Sequence, residues 1–363
     1  MPHAERSPDD LRRRLGDWVK RRLARLGGVE IGAIIAAQGG ASSETWLIDA
    51  LVGPDHRPAH WVLRIEPRGH QVYQDPSVAR QYRVIEVLAG ESGLSIPTPI
   101  AQEDDPDILG APFFLMARAP GVAPPNDYHR EGLLATATRA EREAMWAQGI
   151  ALMARLHRLD PAPFAFLAPP GIAPGVDGVA QELVRWDRYR GWAAIPHLPL
   201  YDHARRWLED HRPAPRPPGF AWGDARPPNL LFADGRCTAL LDWETASLGG
   251  AETDLGWWLF YDRMICEAAG ARRLDGIGDA ERTVALWETE AGRKAQAIKW
   301  HIAFAGYRFA LISERARALA IAAGRLPPEA CGAANPAVQL LSELIPGQAH
   351  GAQTSMPLCW WCR

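Results

Sequence analysis

Residues 220–245 read Phe-Ala-Trp-Gly-Asp-Ala-Arg-Pro-Pro-Asn-Leu-Leu-Phe-Ala-Asp-Gly-Arg-Cys-Thr-Ala-Leu-Leu-Asp-Trp-Glu-Thr. Leu230 to Phe232 form a short apolar run, Asp234-Gly235 is a hairpin turn signal, and Thr238 to Leu241 form a second apolar run ending at Asp242. Such a hairpin gathers three polar groups at one end: Asp224 and Asn229 ahead of its first strand, and Asp242 after its second.

That set suits metal-assisted phosphoryl transfer. Mg²⁺ takes a few hard oxygen ligands and completes its shell with substrate phosphate oxygens, and Asn229 and Asp242 offer one amide and one carboxylate oxygen. Asp224 is then left to receive the proton of a nucleophilic hydroxyl. Arg226 can set a permanent positive charge against the transferring phosphoryl group, and Pro227 and Pro228 stiffen the loop.

The order Asp-x-Arg-Pro-x-Asn, hairpin, Asp resembles the catalytic loop and metal-binding Asp of protein kinases and of the aminoglycoside phosphotransferase family. Where the family has His-Gly-Asp, this chain has Trp222-Gly223-Asp224, so Trp222 is expected to fill the packing place of the His. The resemblance covers roughly residues 30 to 325. It implies an α+β, bilobal protein-kinase-like fold with an antiparallel-sheet N-lobe over 1–118, a mainly helical C-lobe over 119–345 and a tail over 346–363. It also implies ATP or GTP and Mg²⁺ as cofactors.

The chain around this stretch supplies the other expected parts. A helix over 8–27 follows from Leu11, Leu15, Trp18, Val19, Leu23 and Leu26 at helical spacing, with a solvated basic face. Gly39, Gly40, Ser42 and Ser43 lie between two apolar runs, where the resemblance implies a phosphate-cradling loop. The strand Trp61–Ile65 carries Arg64 at the place of the kinase Lys that holds phosphates, and Gln81, on a helix over 78–89, stands where its carboxylate partner belongs, with Glu86 more than a turn away. Residues 107–118 are expected to form the last N-lobe strand and hinge. Adenine would sit there against Met116 and take hydrogen bonds from backbone groups near Ala117 and Arg118.

Pro120 to Asp127 reads as a linker, and helices are expected over 141–159, 179–193 and 200–211. His157 is expected to be a packed helix residue, since no nucleophile motif accompanies it. Asp254 is either a brace beneath the catalytic loop or a helix N-cap. Over residues 261–330 nine acids face eleven bases, a balance that favours a neutral or anionic substrate over a polycationic aminoglycoside.

The 363 residues are 47% hydrophobic and 23% charged, with a formal net charge of -3, which gives no push toward nucleic acid or an anionic membrane, and neither is expected as a partner. Five scattered cysteines and a start without an apolar leader fit a cytoplasmic protein. The resemblance implies a small-molecule hydroxyl as the acceptor, and a monomer or homodimer is expected. The terminal Cys359-x-x-Cys362 lacks a second pair and reads as tail. The catalytic loop and the passage Asp254-Leu-Gly-Trp-Trp-Leu-Phe are most similar to the branch whose relatives include kinase-like domains associated with acyl-CoA dehydrogenases, which implies a hydroxyacyl-CoA or related alcohol. An antibiotic phosphotransferase and a nucleotide-binding protein without turnover are the rival readings.

Overall fold

A computed structural model describes residues 6–37, 43–69, 71–327 and 335–346. Gly39, Gly40, Ser42 and the Cys359–Cys362 tail lie outside the described residues. The chain divides into two compact units, one through Ala119 and one from Pro120.

The first unit is built on a five-stranded antiparallel sheet in the order β1-β2-β3-β5-β4. The strands are β1 Val29–Ala36, β2 Glu44–Val52, β3 Arg57–Ile65, β4 Pro99–Glu103 and β5 Phe113–Ala117. Alternation of buried and exposed positions in β2 and β3 sends Trp46, Ile48, Trp61, Leu63 and Ile65 into one core. Helix α1, Pro8–Arg22, closes that core with Leu11, Leu15, Trp18 and Val19, the residues expected from their spacing. Helix α2 spans Val78–Ala89 and is capped by Ser77, whose side chain accepts from Arg80 N–H.

Residues 107–111 are not part of a strand. Asp105 caps a short helix α3, Pro106–Leu109, whose Pro at the first position and left-handed Gly110 make a one-turn stop before β5 begins at Phe113. The apolar pair Ile108-Leu109 is therefore helical, with Leu109 buried.

The second unit is helical around one hairpin. Its helices are α4 Gly132–Thr136, α5 Arg139–Leu156, α6 Gly178–Trp192, α7 Pro199–Asp210, α8 Ala251–Arg263, α9 Ala280–Ala291, α10 Ile298–Ala322 and α11 Pro336–Leu344. A capping box between Thr138 and Glu141 starts α5. Helices α8 and α10 cross closely because glycine stands at the contacts: a Cβ on Gly256 would lie 2.6 Å from the His301 backbone, and one on Gly306 would lie 2.8 Å from the Phe260 ring.

The hairpin is β6, Leu230–Ala233, with β7, Arg236–Leu240. Asp234 and Gly235 both take positive φ, 50° and 72°, as a tight two-residue turn demands. The expected linker is tied to the hairpin and to the loop and helix around it. Val122 and Phe232 exchange both backbone hydrogen bonds, at 2.9 and 3.0 Å.

Candidate active site

Pairing of Leu230 with Leu240 brings the hairpin's two open ends together, and Leu241 N–H donates to the Asn229 carbonyl at 2.9 Å. Asn229 and Asp242 thus stand at the same end, as the spacing implied. Asp242 adopts φ 64°, a left-handed conformation that Asp tolerates better than most side chains and that redirects the chain sharply after β7.

The loop before β6 is held from beneath. Asp254, fully buried in the first turn of α8, accepts Trp222 N–H at 2.6 Å and Gly223 N–H at 2.7 Å. Its brace reading therefore holds and its N-cap reading does not, because the cap of α8 is Gly250. Gly223 has φ 91°, and a Cβ there would meet the Thr245 carbonyl oxygen at 2.2 Å, so only glycine fits between the brace and that segment.

Trp222 fills the expected packing place. Its ring is fully buried, lies 5.5 Å from that of Trp243, and donates from Nε1 to the Leu241 carbonyl at 2.8 Å. His157 does more than pack. It caps α5, meets Asp254 Oδ2 through Nε2 at 2.9 Å, and accepts the Trp287 indole N–H on Nδ1 at 3.0 Å. With Nδ1 an acceptor, the ring is neutral and Nε2 carries the proton toward Asp254.

Asp224 is 7% exposed and sits in a cage of donors. Arg226 Nε reaches both carboxylate oxygens, at 3.0 and 2.8 Å, Asn229 Nδ2 donates to Oδ2 at 2.7 Å, and Trp257 Nε1 donates to Oδ1 at 2.8 Å. These contacts fix the carboxylate plane, a geometry that suits orientation of a hydroxyl.

Arg226 divides its donors. Nε serves Asp224, while Nη1 donates to Asn126 Oδ1 at 2.6 Å and to Tyr261 Oη at 3.2 Å. Nη2 donates to none of the described residues, which leaves one edge of the fork for an anionic group. The guanidinium also stands 5.0 Å from the Tyr261 ring centre. Burial works against its charge, yet Asp224, Tyr261 and Asp242 hold its pKa above the ordinary arginine value.

The donor set fits a magnesium ion of the phosphoryl-transfer type. Asn229 spends its amide nitrogen on Asp224, which turns Oδ1 outward, and that oxygen accepts no hydrogen bond from the described residues. With the Asp242 carboxylate this makes two hard oxygen donors, the number such an ion takes from protein when phosphate and water complete its shell. No cluster of three or more His, Cys, Asp or Glu suited to a metal occurs among the described residues.

In the first unit, Arg64 and Ser43 are together: Arg64 Nη2 donates to Ser43 Oγ at 2.8 Å. The kinase-type ion pair is absent from the helix expected to supply it. Gln81 is buried, and its Nε2 has no hydrogen-bond partner among the described residues, while Glu86 is hydrogen-bonded to Tyr82. Met116 is buried on β5. The two hinge amides already have backbone partners. Ala117 N–H donates to Thr98 O and Arg118 N–H to His60 O, both at 2.8 Å, so neither amide hydrogen is available to a base edge.

Part of the basic surplus over residues 261–330 is drawn into ion pairs. Arg263, Arg273, Arg293, Lys294 and Arg317 are paired with Glu267, Asp262, Glu252, Glu288 and Glu314, and Arg308 is buried. Those charges serve the fold.

Sequence reasoning missed Trp257, Tyr261 and Asn126. The first two lie three and seven residues after Asp254 on α8, and this helical spacing was the available signal. Asn126 gave none, since it reaches the site from a loop 100 positions away from Arg226.

Residues 33–293 match the Phosphotransferase enzyme family, and the chain belongs to that family. It is similar to acyl-CoA dehydrogenase family member 10 of Mus musculus, 25% identical over 54% of this chain and 18% of that protein. It is also similar to family member 11 of Pongo abelii, 24% identical over 66% of this chain and 31% of that protein. The chain thus spans less than a third of the length of these curated relatives.

Among solved structures, a Ralstonia eutropha protein provisionally named an aminoglycoside phosphotransferase shares the fold with TM-score 0.66, 20% identity, and coverage of 92% of this chain and 95% of that one. An aminoglycoside phosphotransferase bound to ADP and hygromycin B does so with TM-score 0.58, 13% identity, and coverage of 92% and 99%. The macrolide 2'-phosphotransferase of Brachybacterium faecium has TM-score 0.53, 19% identity, and coverage of 93% and 99%.

Proposed function

We infer that this protein transfers the γ-phosphoryl group of ATP, with Mg²⁺, to the hydroxyl of a small molecule. The observation that carries the reading is the caged Asp224 carboxylate, held within hydrogen-bond distance of both Arg226 and Asn229. In this reading Asp224 orients the acceptor hydroxyl and receives its proton as the P–O bond forms. Arg226 presents Nη2 to the phosphoryl oxygens where charge develops. Asn229 and Asp242 would hold Mg²⁺, which when bound supplies charge neutralisation on the phosphates. Arg64 and Ser43, with Gly39, Gly40 and Ser42, would contact nucleotide phosphates, and Met116 would line the base pocket. With the Ala117 and Arg118 amides spent inside the sheet, base-edge bonds fall to the hinge carbonyls and to Ala119 N–H.

The proposed acceptor is a hydroxyacyl-CoA or related alcohol. Its support is the sequence likeness to proteins named as acyl-CoA dehydrogenase family members. An antibiotic acceptor is the second reading, supported by the aminoglycoside and macrolide phosphotransferases that share the fold. A related structure holds GDP, so GTP is tested beside ATP. No helix among the described residues is long and apolar enough to cross a membrane. From the scattered cysteines of the sequence we propose the cytoplasm as the compartment, with a monomer or homodimer as the working unit.

Two measurements test this. Thermal shifts with ATP or GTP, each with and without Mg²⁺, should rise only where a ligand binds the folded state. Turnover is then assayed against hydroxyacyl-CoA thioesters, aminoglycosides and macrolides. Asp224→Asn should abolish turnover and leave nucleotide binding intact. Equal turnover in that variant removes the role given to Asp224, and binding without turnover by the unaltered protein favours the non-catalytic rival.

A further inference from the structure

Trp257 and Arg308 form a buried stack directly beneath Asp224. Trp257, on α8, is 3% exposed, and its indole N–H is one of the three donors to the carboxylate. Arg308, on α10, is 1% exposed. Its guanidinium carbon lies 4.5 Å from the centre of the Trp257 ring, 5.0 Å from that of Trp186 and 5.6 Å from that of Phe304. The same guanidinium donates through Nη2 to the Gly223 carbonyl at 2.9 Å, one residue before Asp224.

We propose that Trp257 is a positioning residue for phosphoryl transfer, fixing the rotation of the Asp224 carboxylate, and that Arg308 strengthens this hold by polarising the indole and clamping Gly223. A cation over an indole face draws electron density from the ring, which makes the ring N–H a better donor. The hydrogen bond to Oδ1 then opposes rotation of the carboxylate about its Cβ–Cγ bond. Arg226 and Asn229 are also offered to bound ligands in the reading above. Trp257 is not, and so it can hold Asp224 still while the other two engage phosphate and metal.

The arrangement exceeds what packing requires. A phenyl ring at position 257 would fill most of the space and preserve the stack under Arg308. It would lack the one atom that touches Asp224. Loss of a few tenths of an ångström in carboxylate placement acts on kcat, because orientation of the hydroxyl matters in the transition state more than in the bound ground state.

This inference rests on the reading that Asp224 faces the reacting hydroxyl, and the test separates the two. The probe is MgATP, with water as acceptor and phosphate release as the signal, so no knowledge of the natural acceptor is needed. Trp257→Phe should lower kcat about tenfold or more, with the KM for MgATP, the Kd for MgADP and the melting profile close to those of the unaltered protein. Arg308→Met should lower kcat in the same way, and Arg308→Lys, which keeps a cation near the ring, should recover part of it.

An unchanged kcat in Trp257→Phe overturns the proposal, as does a loss of kcat matched by an equal loss of MgADP affinity, which marks general damage. If Trp257→Phe does not fold, Arg308→Met decides on the same terms. Asp224→Asn run in parallel identifies which idea fails: phosphate release at the unaltered rate removes the role of Asp224 and this inference with it. Abolished release in that variant, beside an unaffected Trp257→Phe, removes this inference alone.

Discussion

Asp254 accepts the backbone N–H of Trp222 at 2.6 Å across 32 positions of sequence, and with its other oxygen it takes the N–H of Gly223. One buried carboxylate thereby satisfies two amides that β-structure does not. Asp254→Ala strands both donors and the facing His157 in a dry interior. We expect a loss of about 3–5 kcal/mol, read as a shifted denaturant midpoint, because unpaired buried donors cost more than the bonds themselves contribute. Turnover should fall at temperatures where the variant is still folded.

Replacing Trp222 with the histidine usual at this place separates packing from chemistry. The indole fills space beside Trp243 and bonds Leu241 O, and the donors to the Asp224 carboxylate are Arg226, Asn229 and Trp257 instead. Trp222→His should cost about 2–4 kcal/mol through the cavity it opens. It should retain most of the turnover number measured well below its melting temperature, and a loss of a hundredfold or more would give Trp222 a direct part in the site.

Stability should decline with acid in two stages. Burial pushes the His301 imidazole down from 6.5 to about 4, with Glu252 opposing that shift and Arg216 and Arg308 adding to it. The unfolded chain therefore takes up this proton first, and stability is lost as pH falls from 6.5 toward 4, by about 3 kcal/mol at the end of the window. Glu252 moves down too: burial would raise it, but the Arg293 guanidinium and His301 hold it at about 2. Its contribution is complete above pH 4.5 and drains away between there and pH 2. Melting temperature followed from pH 7.5 to 2 should slope downward below 6.5 and again below 4.5, and His301→Gln should flatten that first limb while leaving the second.

The metal reading predicts a selective failure. Asn229→Ala and Asp242→Asn should each reduce turnover at least a hundredfold and raise the Mg²⁺ concentration needed for half-maximal rate. Asn229→Ala also removes a donor to Asp224, so the cleaner reporter is Asp242→Asn. If its Mg²⁺ requirement equals that of the unaltered protein, Asp242 is not a ligand.

The parts of this protein that sequence made legible are those whose causes are local. The Asp234-Gly235 turn, the helix over 78–89, and the spacing from Asp224 to Asn229 each need only a few neighbouring residues. Residues 107–111 misled because Ile108-Leu109 resembles a strand onset, although Asp105 and Pro106 already spelled a helix start. The donors around Asp224 are a different matter. Trp257 lies 33 positions away and Arg308 lies 85 positions from Gly223, and their contact depends on how closely α8 and α10 cross. The acid-base count was blind to pairing for the same reason, since side-chain pairing is a property of the fold and not of the composition.

Asp254, Trp257 and Tyr261 lie along one face of α8, at positions i, i+3 and i+7, and bind in turn the backbone of the loop, its carboxylate and its guanidinium. A loop so fastened cannot loosen one residue at a time; it must leave as a whole or wait for the helix to go. The amide hydrogens of Trp222 and Gly223 should therefore trade with deuterium only as slowly as the core of the second unit opens. The region of most chemical consequence would then rank among the slowest to exchange, against the common expectation that functional loops are the soft part of a protein.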